Sequence, residues 1–184
     1  VLGIEHILFG WDHLLFVLGL FLIIKSRTLL LMTITGFTIA HSITLVLSSL
    51  GHVTLPTAPV ETVIALSVVF LAREYLCALK GETSMTLRYP WIVAFTFGLL
   101  HGFGFAGALS SIGLPQHALT SALVAFNLGV ELGQVLFIGL LLVITWSLSQ
   151  LKWRRTPWIS AVPGYAIGSL ASFWFITRLL DIVA

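Results

Sequence analysis

The chain has 184 residues, 58% of them hydrophobic and only 9% charged, with a formal net charge of +2. A soluble domain carries about 25% charged residues, so this composition excludes a water-soluble globular protein and leaves an all-α, polytopic membrane bundle. The small positive charge excludes a nucleic-acid binder, and the single cysteine, Cys77, excludes an internal disulfide and a Cys-x-x-Cys metal site.

At about 20 apolar residues per span, the sequence predicts six transmembrane helices in a single domain over 1–184. The first, 3–24, carries Glu5, His6, Asp12 and His13 inside an apolar run that stops at Lys25. The second, 28–50, follows a short turn and contains His41. An uncharged loop with Pro56 leads to the third, 59–79, where a proline suits the first turn. A polar loop then leads to the fourth, 91–112, which contains His101. A Gly113-Leu114-Pro115-Gln116-His117 turn separates it from the fifth, 118–150, which is longer than a span needs and is expected to tilt or project into water. The cluster Lys152-Trp153-Arg154-Arg155 ends it. In the sixth, 158–183, Pro163-Gly164 is expected to kink the helix or delay its start. The chain opens at Val1 without a methionine, so a further N-terminal region, a removed signal peptide or trimming is expected upstream.

Lys25, Arg27, Lys80, Arg88, Lys152, Arg154 and Arg155 all fall in alternate loops, and the intervening loops contain no lysine or arginine. By the positive-inside rule the basic loops face the cytoplasm and both termini face outward. Arg178 is the exception, and Asp181, three residues on, is placed to pair with it along the helix.

Ionisable groups at membrane depth are costly unless paired or ligated, so they mark function by default. In this topology Asp12, His13, His41, His101, Asn127 and Glu131 all fall roughly 13–20 Å below the outer surface, at 1.5 Å per helical residue. On a continuous first helix, His6 and His13 share a face, with Glu5 and Asp12 one stripe over. Imidazole and carboxylate together suit divalent nickel, cobalt, zinc or copper. The alternatives are a proton relay, or polar side chains that hydrogen-bond helix to helix. Asn127, Glu131 and Gln134 form a stripe at i, i+4 and i+7 that should face the bundle interior. His52 and His117 fall in outer loops, Glu61 reads as a helix cap, and Arg73 and Glu74 should snorkel or pair. Trp91, Trp153 and Trp158 read as interface anchors, whereas Trp11, directly before Asp12-His13, is expected to pack over the site.

His6-x5-Asp12-His13 within a first membrane helix resembles the signature of the HupE/UreJ family of nickel/cobalt permeases. The resemblance extends through Gly10-Trp11-Asp12-His13-Leu14-Leu15-Phe16, Ala40-His41-Ser42-Ile43-Thr44-Leu45, Val60-Glu61-Thr62-Val63 and His101-Gly102-Phe103-Gly104-Phe105-Ala106. It implies His6, Asp12 and His13 as metal-related residues, His101 as part of a second histidine motif, and a bacterial inner-membrane location.

Two functions follow as expectations. One is a nickel/cobalt-type permease with His6, Asp12, His13, His41, His101 and Glu131 as metal residues, and with the metal ion and membrane lipid as its partners. The other is an intramembrane zinc-type hydrolase acting on lipid or membrane peptide. In that case Glu131 is the general base and Ser42 or Asn127 a catalytic oxyanion donor beside an open metal position.

Overall fold

The computed structural model describes residues 1–111, 116–150 and 157–183, with the side chains of 105–118 and 157 outside that description. Isoleucine- and leucine-rich runs with short polar breaks give eight helices and no strand among the described residues. They are α1 (Leu2–Phe9), α2 (Trp11–Ile23), α3 (Arg27–Ser49), α4 (Thr57–Leu79), α5 (Met85–Arg88), α6 (Pro90–Ser111), α7 (Gln116–Gln150) and α8 (Pro157–Val183). The expected basic cluster at 152–155 and most of the 113–117 turn lie outside the described residues, as does the side chain of His117.

Among the described residues, four helical stretches are long and apolar enough to cross a membrane: Arg27–Ser49, Thr57–Leu79, Leu119–Gln150 and Trp158–Val183. The bent pair α1–α2 makes a fifth when taken as one span, and the apolar stretch Pro90–Gly104 of α6 is shorter. The protein is therefore a multi-pass helical membrane protein with four or five candidate spans against the six expected. Large apolar side chains such as Met32, Leu128, Leu136 and Trp146 stand exposed on its outside, as contact with lipid requires and contact with water would penalise.

The first predicted helix is not continuous. It breaks at Gly10 into α1 and α2, which meet at 74°. Gly10 takes an extended backbone (φ −82, ψ 90), donates its N–H to His6 O at 3.0 Å, and accepts from Leu14 N at 3.0 Å. One residue thus closes the first helix and opens the second. A Cβ here would lie 2.5 Å from His6 O and 2.8 Å from His13 Nδ1, so glycine is required by close approach. The periodicity of 3–24 hides the break because both halves are apolar. Trp11 accordingly does not cover the site: it starts α2 on the outside of the bend and is 66% exposed.

Helix α2 occupies the centre. Its Phe16, Val17, Leu20 and Ile23 are buried with Ile34 and Phe37 of α3, Val68 and Leu71 of α4, Ala94 of α6 and Ile167 of α8. Around it the helices pair through small residues, as membrane helices do in the absence of a hydrophobic force between them. α6 lies on α3 where Gly98 faces Phe37 O and Gly102 faces His41 O and Thr44 Oγ1. α1 lies on α7 where Gly3 and Gly129 meet backbone to backbone. α8 runs unbroken through Pro163 rather than restarting after it, and the adjoining Gly164 lets Tyr75 and Leu76 of α4 come close. Tyr75 also donates its hydroxyl to Ser160 O at 2.8 Å. The polar loop after α4 folds into α5, capped by Ser84 Oγ accepting from Leu87 N at 3.2 Å. Buried Glu74 accepts from Thr86 N at 2.8 Å and from Arg73 at 3.2 Å.

Arg178 does not serve Asp181 next door. It reaches across to α2 and holds Asp12 with two hydrogen bonds, Nη1 to Oδ1 at 3.1 Å and Nη2 to Oδ2 at 2.9 Å. It also donates to Glu61 O at 3.1 Å and lies 3.8 Å from the Glu61 carboxylate, which makes Glu61 an ion-pair partner and not a helix cap. The reason is local dielectric: a planar bidentate fork to a largely buried carboxylate outweighs a pairing at the solvated helix end. Arg178→Ala should destabilise the protein by about 1.5–3 kcal/mol, the range for hydrogen bonds to charged groups. Asp12→Asn in the Arg178→Ala background should restore part of it. Thermal unfolding of the four proteins of the cycle tests this, and additive effects would contradict a shared pair.

Candidate metal centre

The break at Gly10 builds the site. On a straight helix, residues 6 and 13 would be about 10.5 Å apart along the axis; across the bend their rings stand edge to face with centroids 4.5 Å apart. His41 of α3 joins them at 6.1 Å from His6 and 6.3 Å from His13, centroid to centroid. One ring nitrogen from each of these three residues lies within 4.8 Å of the others. His101 of α6 meets the His13 ring edge to face, with centroids 4.9 Å apart. Four histidines from four helices thus meet at one place.

Their hydrogen bonds prepare them to bind. Asn127 Nδ2 donates to Leu123 O at 2.8 Å, which turns its Oδ1 toward His41 Nδ1 at 3.2 Å. A carbonyl oxygen can only accept, so the His41 proton sits on Nδ1 and Nε2 keeps its lone pair. His101 does the same with Phe97 O, 2.8 Å from its Nδ1. The Nε2 atoms of His13, His41 and His101 are buried without a hydrogen-bond partner. Buried polar atoms are nearly always satisfied, so these three unpartnered nitrogens mark the cluster as a candidate ligand site. A histidine whose second nitrogen is fixed by a carbonyl or amide oxygen is the usual form of a metal ligand. An ion held at about 2.1 Å by tetrahedral nitrogens sets them about 3.4 Å apart, so the nitrogens of His6, His13 and His41, within 4.8 Å of one another, need close by no more than about 1.4 Å.

Aromatic rings enclose the histidines. Phe126 of α7 lies 5.3 Å from the His6 ring and 6.4 Å from the His41 ring. On the side toward the Lys25–Arg27 end of the bundle, Phe37 and Phe16 lie 5.1 Å and 5.4 Å from His101 and 5.1 Å from each other. These rings lower the local dielectric and so strengthen electrostatic interactions among the histidines.

The other predicted site residues lie around this centre. Asp12 adjoins His13 in sequence, but its carboxylate is held by Arg178. Glu131 is outside the three-histidine group: its Oε1 accepts from Thr35 Oγ1 at 2.6 Å, and its Oε2 is buried without a hydrogen-bond partner. Ser42 donates to Thr38 O in its own helix at 2.6 Å. Glu5 is exposed. Sequence reasoning did not find the aromatic box or the Asn127–His41 bond. The Asn127-Glu131-Gln134 stripe was the available signal for the second, since an amide in a membrane helix needs a partner.

Asn127→Leu should lower metal affinity by about 10–100-fold, the usual effect of losing a ligand's outer partner, with Asn127→Asp retaining more of it. Metal titration of both variants checks this, and equal affinity of Asn127→Leu and the unsubstituted protein would remove Asn127 from the site.

A family model described as "HupE / UreJ protein" matches residues 1–178. A curated protein described as "Major facilitator superfamily transporter", from Mycoplasma pneumoniae (strain ATCC 29342 / M129 / Subtype 1), is 26% identical over 171 residues, covering 80% of this chain and 29% of its own length. The chain thus spans less than a third of that relative. No solved structure matches.

Proposed function

We propose a function from one premise: the chain belongs to the HupE/UreJ family, whose members are membrane proteins related to nickel and cobalt transport. Our reading is a permease that takes a divalent transition-metal ion as substrate and binds it at His6, His13 and His41, with His101 alongside and with Asp12 and Glu131 at the margins. The observation that carries it is the cluster of His6, His13 and His41, one ring nitrogen of each within 4.8 Å of the others, in which the His41 Nδ1 proton is committed to Asn127 and its Nε2 is buried without a hydrogen-bond partner. Neutral imidazoles in an apolar box favour a borderline divalent ion over a hard one such as magnesium or calcium. With the basic loops on the cytoplasmic side, the centre lies in the outer half of a bacterial inner membrane.

A zinc-type hydrolase is the second reading, supported by a groove of about 490 Å³ between α3 and α7 that Ser42, Asn127 and Glu131 help to line. Against it, the Ser42 hydroxyl proton is engaged by Thr38 O in its own helix, so Ser42 is not ready to stabilise an oxyanion. Transport is the conclusion.

Proteoliposomes holding a chelating dye should accumulate nickel or cobalt at least tenfold faster with the unsubstituted protein than with His41→Ala. Metal that stays bound to the protein but never enters the vesicles, for nickel, cobalt and zinc and under an imposed proton gradient, would defeat the reading. Hydrolysis of lipid or peptide by that same preparation would favour the second.

A further inference from the structure

An ion bound at the histidines has no polar way onward along the bundle axis. Phe16 and Phe37 close that side, with Phe97 5.9 Å from Phe16. Behind them Leu20, Ile23, Ile34, Val68, Leu71 and Ala94 are packed without exposure beyond 2%. Moving a divalent ion through such a plug would strip it of every ligand at once.

The seam between α3 and α7 is different. From His41 it descends through Asn127, 3.2 Å from the imidazole. Next along α3 comes Thr38, which donates to Gln134 Oε1 at 3.0 Å, and then Thr35, which donates to Glu131 at 2.6 Å. Residues 127, 131 and 134 share one face of α7 and cover about 10.5 Å of its length. Thr35, Thr38 and Ser42 answer them from α3. These groups border the 490 Å³ groove, except Gln134, which is buried beside Thr38. Glu131 Oε2 is buried and without a hydrogen-bond partner.

Resting on the transport reading above, we propose that the α3–α7 seam is the path by which the ion leaves the histidines, with Glu131, held by Thr35, as the first carboxylate beyond the cluster. The chemistry grades correctly for release. Imidazole nitrogens hold a borderline ion strongly; hydroxyl and amide oxygens hold it weakly; one carboxylate offers charge without a full cage. A path must bind well enough to be entered and weakly enough to be left.

Two measurements test this. In a Cys77→Ser background, single cysteines at Thr35 and Ser42 should react with a charged, water-soluble thiosulfonate at least tenfold faster than cysteines at Ile43 and Leu132. Those two positions are exposed on the same helices outside the groove. Cobalt should slow the reaction at the groove positions. In vesicles, Glu131→Gln and the groove-filling Val124→Trp should each keep stoichiometric metal and lose at least tenfold in uptake rate. Groove cysteines that react no faster than the controls, or both variants taking up metal at the unsubstituted rate, would overturn the path. Loss of bound metal in Glu131→Gln would move Glu131 into the primary site and overturn its role as a later station. Silent vesicles without any substitution overturn the transport reading itself, and are told apart from a failed path by needing no variant to be silent.

Discussion

Replacing His13 by alanine is expected to abolish stoichiometric metal binding, with affinity falling on the order of 100-fold or more. Loss of an outer partner alone costs about 10–100-fold, and a ligand contributes more than its partner. His13 is the hub of the cluster: its ring lies 4.5 Å from His6, 4.9 Å from His101 and 6.3 Å from His41, centroid to centroid. His41→Ala should have a comparable effect, because it removes the one ring whose Nδ1 is fixed from α7. Both variants should stay monodisperse, since the apolar packing of α2 and α3 lies mostly beyond the histidines, around Phe16, Leu20, Ile34 and Phe37. Equilibrium dialysis with elemental analysis measures the loss, alongside size exclusion in detergent. Unchanged metal content in both variants would mean that the convergence of imidazoles is packing and not a site.

The second large effect concerns the contact that positions His41. Gly102→Val should destabilise the protein by about 1–3 kcal/mol or more and disrupt metal binding with it. A Cβ on Gly102 would collide with Thr44 Oγ1 and with the carbonyl of His41 itself. A backbone carbonyl cannot rotate out of the way, so α6 must lift off α3, and His41 and His101 separate. Gly36→Ala is the matched control. Gly36 lies in α3 with nothing within 4 Å of its would-be Cβ, so alanine there should be neutral or stabilising by up to about 1 kcal/mol through helix propensity. Unfolding by heat or denaturing detergent ranks the two, and equal stability would refute the close α3–α6 approach.

Composition and apolar run lengths determined by themselves that this is a helical membrane protein, because continuous apolar runs of about 20 residues suit spanning helices and not the short alternating strands of a barrel. The boundaries of α3, α4 and α8 were legible to within a few residues for the same reason: polar or glycine-proline breaks are abrupt in a sequence that is otherwise apolar. The motifs around His6, Asp12, His13, His41 and His101 also carried the family. The sequence likewise singled out every histidine that now meets at the centre, since an imidazole within a membrane helix has few innocent explanations.

What only the tertiary structure decided is how those residues are shared out. The break at Gly10 could not be read from hydropathy, because both sides of it are equally apolar; it turns a seven-residue separation into a ring contact. Asp12 and Arg178 are 166 residues apart in the chain, and no local pattern could announce that this aspartate is held by a guanidinium from the last helix. Asn127 joined His41 and Glu131 joined Thr35 for a similar reason, each satisfied by the helix that packing placed opposite. Sequence dictates which polar groups must find partners in a membrane, since leaving them bare is too costly. Which partner each one finds depends on which helices touch, and that is settled by small residues such as Gly3, Gly98, Gly102 and Gly129 whose only signal is the absence of a side chain.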